Sequence, residues 1–234
     1  VLPLVDPIIT NVDVVSTDGS SGEIFVRWRR PLADSTALDT LAEVGPYRFE
    51  VFGEAAFTPA PGTIRNTSSS ALYAGLIDTF FTDNGLNTLS SPESYRVDFY
   101  TRDSNQFSQS LPASSVYLSI GAQNEALNLT WQEEVPWNNT SYVVYRSLDN
   151  GVVFDSLTTV ETASYLDTGL INDSNYCYYV ESYGAYTLAE LADDTLINKS
   201  QRICGIPIDT IPPWPPALSV SNDCDLVGND LGVF

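Results

Sequence analysis

Tyr165-Leu166-Asp167-Thr168-Gly169-Leu170, with Tyr176 six residues beyond the leucine, has a near copy upstream in Phe81-Thr82-Asp83-Asn84-Gly85-Leu86, ahead of Tyr95. Each copy reads as a strand ending in an Asp-x-Gly turn, then a buried leucine, then a crossing to a strand that opens on tyrosine. One supersecondary unit is used twice. A β-sandwich needs such a crossing at its corner, and the tyrosine can place its ring in the core and its hydroxyl on nearby backbone.

Period-two alternation fills in the first copy. Ile8 to Val15 reads as a strand, and a turn at Asp18-Gly19 leads to Glu23-Ile24-Phe25-Val26-Arg27-Trp28-Arg29, with Ile24, Val26 and the anchor Trp28 inward. Pro31 ends that strand, and Tyr47 to Phe52 resumes alternation with Tyr47, Phe49 and Val51 inward. Residues 53–75, rich in Gly, Pro, Ser, Thr and Ala, read as an irregular crossing, followed by a strand centred on Ile77 to Thr82. Tyr95 to Tyr100 is the next strand, and Gln106 to Pro112 reads as the hand-over to the second copy.

The second copy is more compact. Leu127, Leu129 and Trp131 share one face, and Tyr142 to Arg146 matches Tyr47 to Val51. Asn150-Gly151 predicts a type I′ turn with Val152 to Leu157 returning from it. Tyr176, Tyr178 and Val180 face inward, and Ile197 to Ile206 is the last strand. The organisation expected is a first unit at 1–112, a second at 113–208, a stiff Pro-rich linker at 209–217 and the start of a third, incomplete repeat at 218–234.

About seven short strands per unit, a tryptophan in the second and a tyrosine in the sixth resemble the fibronectin type III family, here in tandem. The resemblance implies an all-β fold of tandem fibronectin type III-like, immunoglobulin-like antiparallel β-sandwiches. In that family a leucine precedes the corner tyrosine by six residues; Leu170 with Tyr176 fits, and Leu89 with Tyr95 fits in spacing although the repeat aligns Leu86. A narrower resemblance comes from Gly45-Pro46-Tyr47-Arg48-Phe49-Glu50, Asp83-Asn84-Gly85-Leu86-Asn87-Thr88, and Asn198-Lys199-Ser200-Gln201 through Cys204 to Asp209-Thr210-Ile211-Pro212-Pro213. These look like the repeat region of large gliding-motility-associated surface proteins of Bacteroidota, which implies export by the type nine pathway and display outside the cell.

In a fibronectin-type sandwich the last two strands are neighbours. Pairing them about the midpoint of Ala185 to Leu196 sets Cys177 opposite Cys204, so a disulfide is expected there, against the alternative of two inert thiols. A bridge argues for an oxidising compartment. Asp-Ser/Thr-apolar triplets, the acceptor pattern associated with exported proteins of the suspected group, mark Ser35, Thr40, Ser156, Thr195 and Thr210 as candidate O-glycosylation sites.

Composition narrows the chemistry further. Thirty acidic against ten basic residues give a net charge of -20, which repels nucleic acid and anionic membrane. Histidine is absent, which removes the commonest general base and metal ligand. The neighbours Glu133-Glu134 and Asp193-Asp194 point apart on a strand or loop, so they do not form an acid-base pair facing one cleft. Oxygen-rich Asn222-Asp223-Cys224-Asp225 lacks a full calcium-loop pattern. No catalytic residue, cofactor or metal is assigned. Trp137, Tyr183, Tyr186 and Trp214 could offer sugars a stacking surface, or else pack between modules and cover strand edges. The expected partners are other domains of the same long chain and other surface proteins or extracellular glycans.

Overall fold

The computed structural model describes residues 6–31, 38–58, 62–102, 106–187, 191, 195–210 and 214. The proposed start of a third repeat and most of the Pro-rich linker lie outside them. Eight strands form the first unit: β1 (Ile8–Ser16), β2 (Gly22–Arg29), β3 (Tyr47–Glu54), β4 (Thr63–Ser70), β5 (Phe80–Leu86), β6 (Ser94–Tyr100), β7 (Gln106–Gln109) and β8 (Ala113–Ser114). The second unit has β9 (Tyr117–Gln123), β10 (Ala126–Gln132), β11 (Asn138–Ser147), β12 (Asp155–Val160), β13 (Ser164–Thr168), β14 (Tyr176–Ala185), β15 (Leu196–Lys199) and β16 (Ile203–Gly205).

Each unit divides its strands in the same way. A three-stranded sheet, β1-β2-β5 or β9-β10-β13, faces a larger one, β4-β3-β6-β7 or β12-β11-β14-β15, with β8 and β16 continuing the last strand. All ladder pairs are antiparallel, and each unit is a fibronectin type III-like sandwich. The alternation on the page builds the cores. Ile24, Val26 and Trp28 meet Phe49, Val51, Val97 and Phe99, with Trp28 edge-on to Phe49 at 5.7 Å. Leu127, Leu129 and Trp131 meet Tyr142, Val144, Tyr178 and Val180, with Trp131 edge-on to Tyr142 at 5.2 Å. Each such side chain contributes about 1.5–3 kcal/mol on burial, against about 0.5–1.5 for a net hydrogen bond, so the inward faces set the register.

Five expectations change. Residues 63–70 are a strand, not part of an irregular crossing; as the edge of its sheet, β4 buries neither face and so carries no apolar alternation. The strand expected over Ile77 to Thr82 begins at Phe80 and runs through the Asp-x-Gly corner to Leu86, leaving Ile77 exposed. Gln106–Gln109 is the first unit's own last strand, and that unit's sheet reaches Ser114. Asn150 and Gly151 do take the positive φ of a turn, 59° and 84°, but the return strand starts only at Asp155, because the Asp149 carboxylate accepts the Val152 and Val153 N–H groups and extends the loop. The last strand is broken at Ser200. There the Ser200 hydroxyl accepts the Val180 N–H at 2.9 Å while the Ser200 N–H donates to the Val180 carbonyl at 2.8 Å. Ser110 does the same to Val97 in the first unit.

The two sandwiches are fastened side by side. β1 lies parallel to β15, joined through side chains instead of a ladder: the Val12 N–H donates to Asn198 Oδ1 at 2.9 Å, and the Lys199 N–H donates to Asp13 Oδ1 at 2.7 Å. Trp137 and Leu196 of the second unit are buried in the first unit's core, and the Tyr186 hydroxyl donates to the Ile9 carbonyl at 2.7 Å. The connection Ala113 to Val116 is itself buried, with Ser114 and Glu134 exchanging two hydrogen bonds at 2.8 Å.

Trp137→Ala opens a cavity at this joint with an expected cost of about 3–5 kcal/mol. Differential scanning calorimetry should show one cooperative transition for the parent chain and two for the variant; a single transition in both would mean that coupling of the units does not depend on Trp137.

Candidate functional site

Behind each corner lies a buried carboxylate bonded to a tyrosine. In the second unit the Tyr178 hydroxyl donates to Asp167 Oδ2 at 2.8 Å, and Arg146 Nη1 donates to both oxygens of Asp167 at 3.1 and 2.8 Å. In the first, the Tyr95 hydroxyl donates to Asp83 Oδ2 at 3.0 Å. Since Val97 and Val180 take the same serine bridge, Tyr95 is the counterpart of Tyr178, two residues later than the sequence alignment with Tyr176 implied. Tyr176 is the true corner tyrosine, and its hydroxyl accepts the Ile171 N–H at 3.0 Å. Its place in the first unit is held by Glu93. Leu86, not the exposed Leu89, is the buried partner of Leu170.

The arginine moves between units. Arg146 stands opposite Tyr178 on β11, whereas Gly53 stands opposite Tyr95 on β3. Arg65 comes over from β4 to fill that space: a Cβ on Gly53 would lie 2.8 Å from Arg65 Cγ. Its guanidinium is 3.7 Å from Asp83 Oδ2 and 3.7 Å from Glu93 Oε2, so one cation faces two acids. Glu93 Oε2 has no hydrogen-bond partner among the described residues. Burial pushes the Glu93 carboxyl up to about 7; Arg65 opposes this, and the Asp83 and Glu54 charges add to it. Burial also raises Asp83, against its bonds from Tyr95 and the charge of Arg65. Both clusters are closed under the corner and hold the fold.

The disulfide is present between Cys177 and Cys204, which pair directly across β14 and β16. On the chain-entropy account a loop of this length contributes roughly 3–4 kcal/mol. The candidate acceptor residues are scattered. Ser156 is exposed on β12, opposite Tyr145; Thr195 and Thr210 are exposed outside the strands; Thr40 sits in a turn; Ser35 lies outside the described residues.

The aromatic candidates separate by environment. Trp137 and Tyr186 pack together at 5.8 Å inside the joint, so they present no face to a sugar. Glu133 supports them, accepting from Asn139 at 2.6 Å and Tyr142 at 2.8 Å, while Asn139 accepts the Trp137 indole N–H at 3.0 Å. Tyr183 is tied to Glu181 at 2.9 Å, and Trp214 is 92% exposed. Not singled out from sequence are Tyr145 and Tyr179, which stand opposite one another on the paired strands β11 and β14 and stack at 4.5 Å; being far apart in sequence, they carried no signal in their spacing. A cleft of 410 Å³ lies between the end of β2 and residues 76–79, lined by Arg27, Arg29, Arg30 and Ile77 among others. It gathers three of the ten basic residues, of which Arg30 donates to the Tyr73 carbonyl at 3.1 Å.

No protein-family model matches the chain, and no curated protein matches it. Among solved structures the chain is similar to the FN1-FN3 domains of chicken CNTN1, at 11% identity and a TM-score of 0.30, over 87% of this chain and 66% of that one. The chain thus spans just under two-thirds of that structure.

An acid whose folded pKa lies above its unfolded value holds its proton more tightly when folded. The stability Glu93 contributes is therefore fully present below about 4.5 and is lost as pH rises through about 7, a span worth roughly 3 kcal/mol. Thermal melts should decline from pH 5 to pH 8, and Glu93→Gln should remove the part that falls between about 4.5 and about 7; an identical decline in the variant would assign the effect elsewhere.

Proposed function

We propose that this chain is a non-catalytic extracellular scaffold, a spacing and adhesive segment of an exported cell-surface protein. The observation that carries the reading is the joint: two sandwiches are joined through buried Trp137 and through the side chains of Asn198 and Asp13, with the outgoing strand stapled by Cys177–Cys204. A disulfide of this kind suits an oxidising compartment. The buried acids and tyrosines are engaged in holding corners and joint. Among the described residues, no group of three or more His, Cys, Asp or Glu side chains could hold a metal ion.

The motifs that resemble gliding-associated surface proteins of Bacteroidota support placing this segment in such a protein, exported by the type nine route and glycosylated at exposed Asp-Ser/Thr sites. Contact is made with neighbouring domains and with other surface proteins or glycans. The arginine-lined cleft beside β2 gives an acidic chain of -20 a localised cationic contact. A role as the carbohydrate-binding accessory of a glycan-degrading enzyme is less well supported, since Trp137 is buried with Tyr186 half-buried against it, and the stacked Tyr145 and Tyr179 rings cover one face of each other.

The test is intact mass of the protein from its own source, with thiol alkylation before and after reduction. Hexose-type additions at Ser156, Thr195 or Thr210, with Cys177 and Cys204 protected until reduction, are expected. An unmodified mass with both thiols freely alkylated would overturn the surface assignment.

A further inference from the structure

β1 and β15 run side by side in the same direction. Asn11 Nδ2 donates to the Ile197 carbonyl at 3.0 Å, Val12 bonds Asn198, Asp13 bonds Lys199, and the Arg202 N–H donates to Thr17 Oγ1 at 2.8 Å. The register rises on both strands together, so they are parallel. Parallel neighbours have their N-terminal ends at one side of the joint and their C-terminal ends at the other. Tension applied ahead of β1 and beyond β16 therefore pulls the two strands in opposite senses along their common direction, and every bridge is loaded at once.

We propose a mechanical function for this joint: it is a shear clamp that makes the two sandwiches one load-bearing element. The clamp rests on the reading of the chain as part of a surface scaffold under tension. Three further features serve it. Asn198 is 2% exposed, so water has little access to replace the Val12 bond while it is strained. The Gln201 side chain bonds both the N–H and the carbonyl of Leu118, at 3.0 and 2.8 Å, which ties the segment between β15 and β16 to β9. The disulfide hands tension arriving at Gly205 to β14, a central strand, through a covalent bond, so the segment between Cys177 and Cys204 cannot be drawn out. A ladder peeled from one end breaks bond by bond; the clamp requires several to fail together.

Single-molecule force spectroscopy on the whole chain tests this. With handles at the two termini, the first event should be a high-force rupture with little added length, followed by unfolding of the units. Moving one handle to Ser20, in the exposed turn after β1, loads the same strands from one end and should abolish the high-force event without altering any residue of the joint. Asp13→Ala combined with Asn198→Ala should lose it under terminal loading. Equal first-rupture forces in both handle geometries, or an unchanged force in the double variant, would overturn the clamp. Reduction should lengthen the second unit's unfolding step by the 27-residue separation of the cysteines, roughly 90 Å at about 3.5 Å per residue; an unchanged step would remove the disulfide from the load path. These forces are read on purified protein, so they stand or fall independently of whether the native chain is exported or glycosylated.

Discussion

A phenol that reaches across the core to a carboxylate underlies each sandwich. Tyr178 to Asp167 and Tyr95 to Asp83 pin the strand after the corner to the strand before it. An ionised aspartate under a corner is costly unless it is paired and hydrogen-bonded. That demand brings an arginine into each unit, and it explains why Gly53 is bare: Arg65 needs the room that Arg146 does not. The substitution of Glu93 for the corner tyrosine leaves the first unit with one more acid than its arginine can satisfy. The two halves of the molecule thus share a device but not its balance of charge.

Sheet edges supply the second constraint. A strand edge carries unpaired backbone groups that must be covered, charged or exposed to water. β4 stays largely exposed, and β12 turns only Leu157 and Val160 toward its core. β1 and β15 cover one another, and they do so through Asn198 and Asp13, whose oxygens accept backbone N–H groups where a ladder would have placed carbonyls. Side-chain bridging also accounts for the burial of Asn198 between the units.

Charge distribution follows from the same geometry. Of the few basic residues, Arg96 joins Asp98 and lies over Phe52, Arg48 lies over Tyr100, Arg146 holds Asp167 and Lys199 approaches Asp13. Cations are largely spent on internal or sheet-face contacts, which leaves the outer field to the carboxylates. Burial raises the pKa of Asp13, Asp83 and Glu133. Each of these acids is kept by local partners, Lys199, Tyr95 and Tyr142 among them.

What the amino-acid sequence determined by itself was everything that period-two alternation and turn chemistry can encode. Strands with one face in the core declare that face, so Ile24-Val26-Trp28, Tyr47-Phe49-Val51 and Tyr176-Tyr178-Val180 were legible, as was the duplicated Asp-x-Gly corner. The pairing of Cys177 with Cys204 followed from strand order. Edge strand β4 was not legible, because a strand exposed on both sides needs no pattern. Tertiary structure alone decided the alignment of Tyr95 with Tyr178, the import of Arg65 over Gly53, and the burial of Trp137 against the neighbouring unit. Each of these depends on which residues of distant segments come to stand opposite one another, and local spacing carries no record of that.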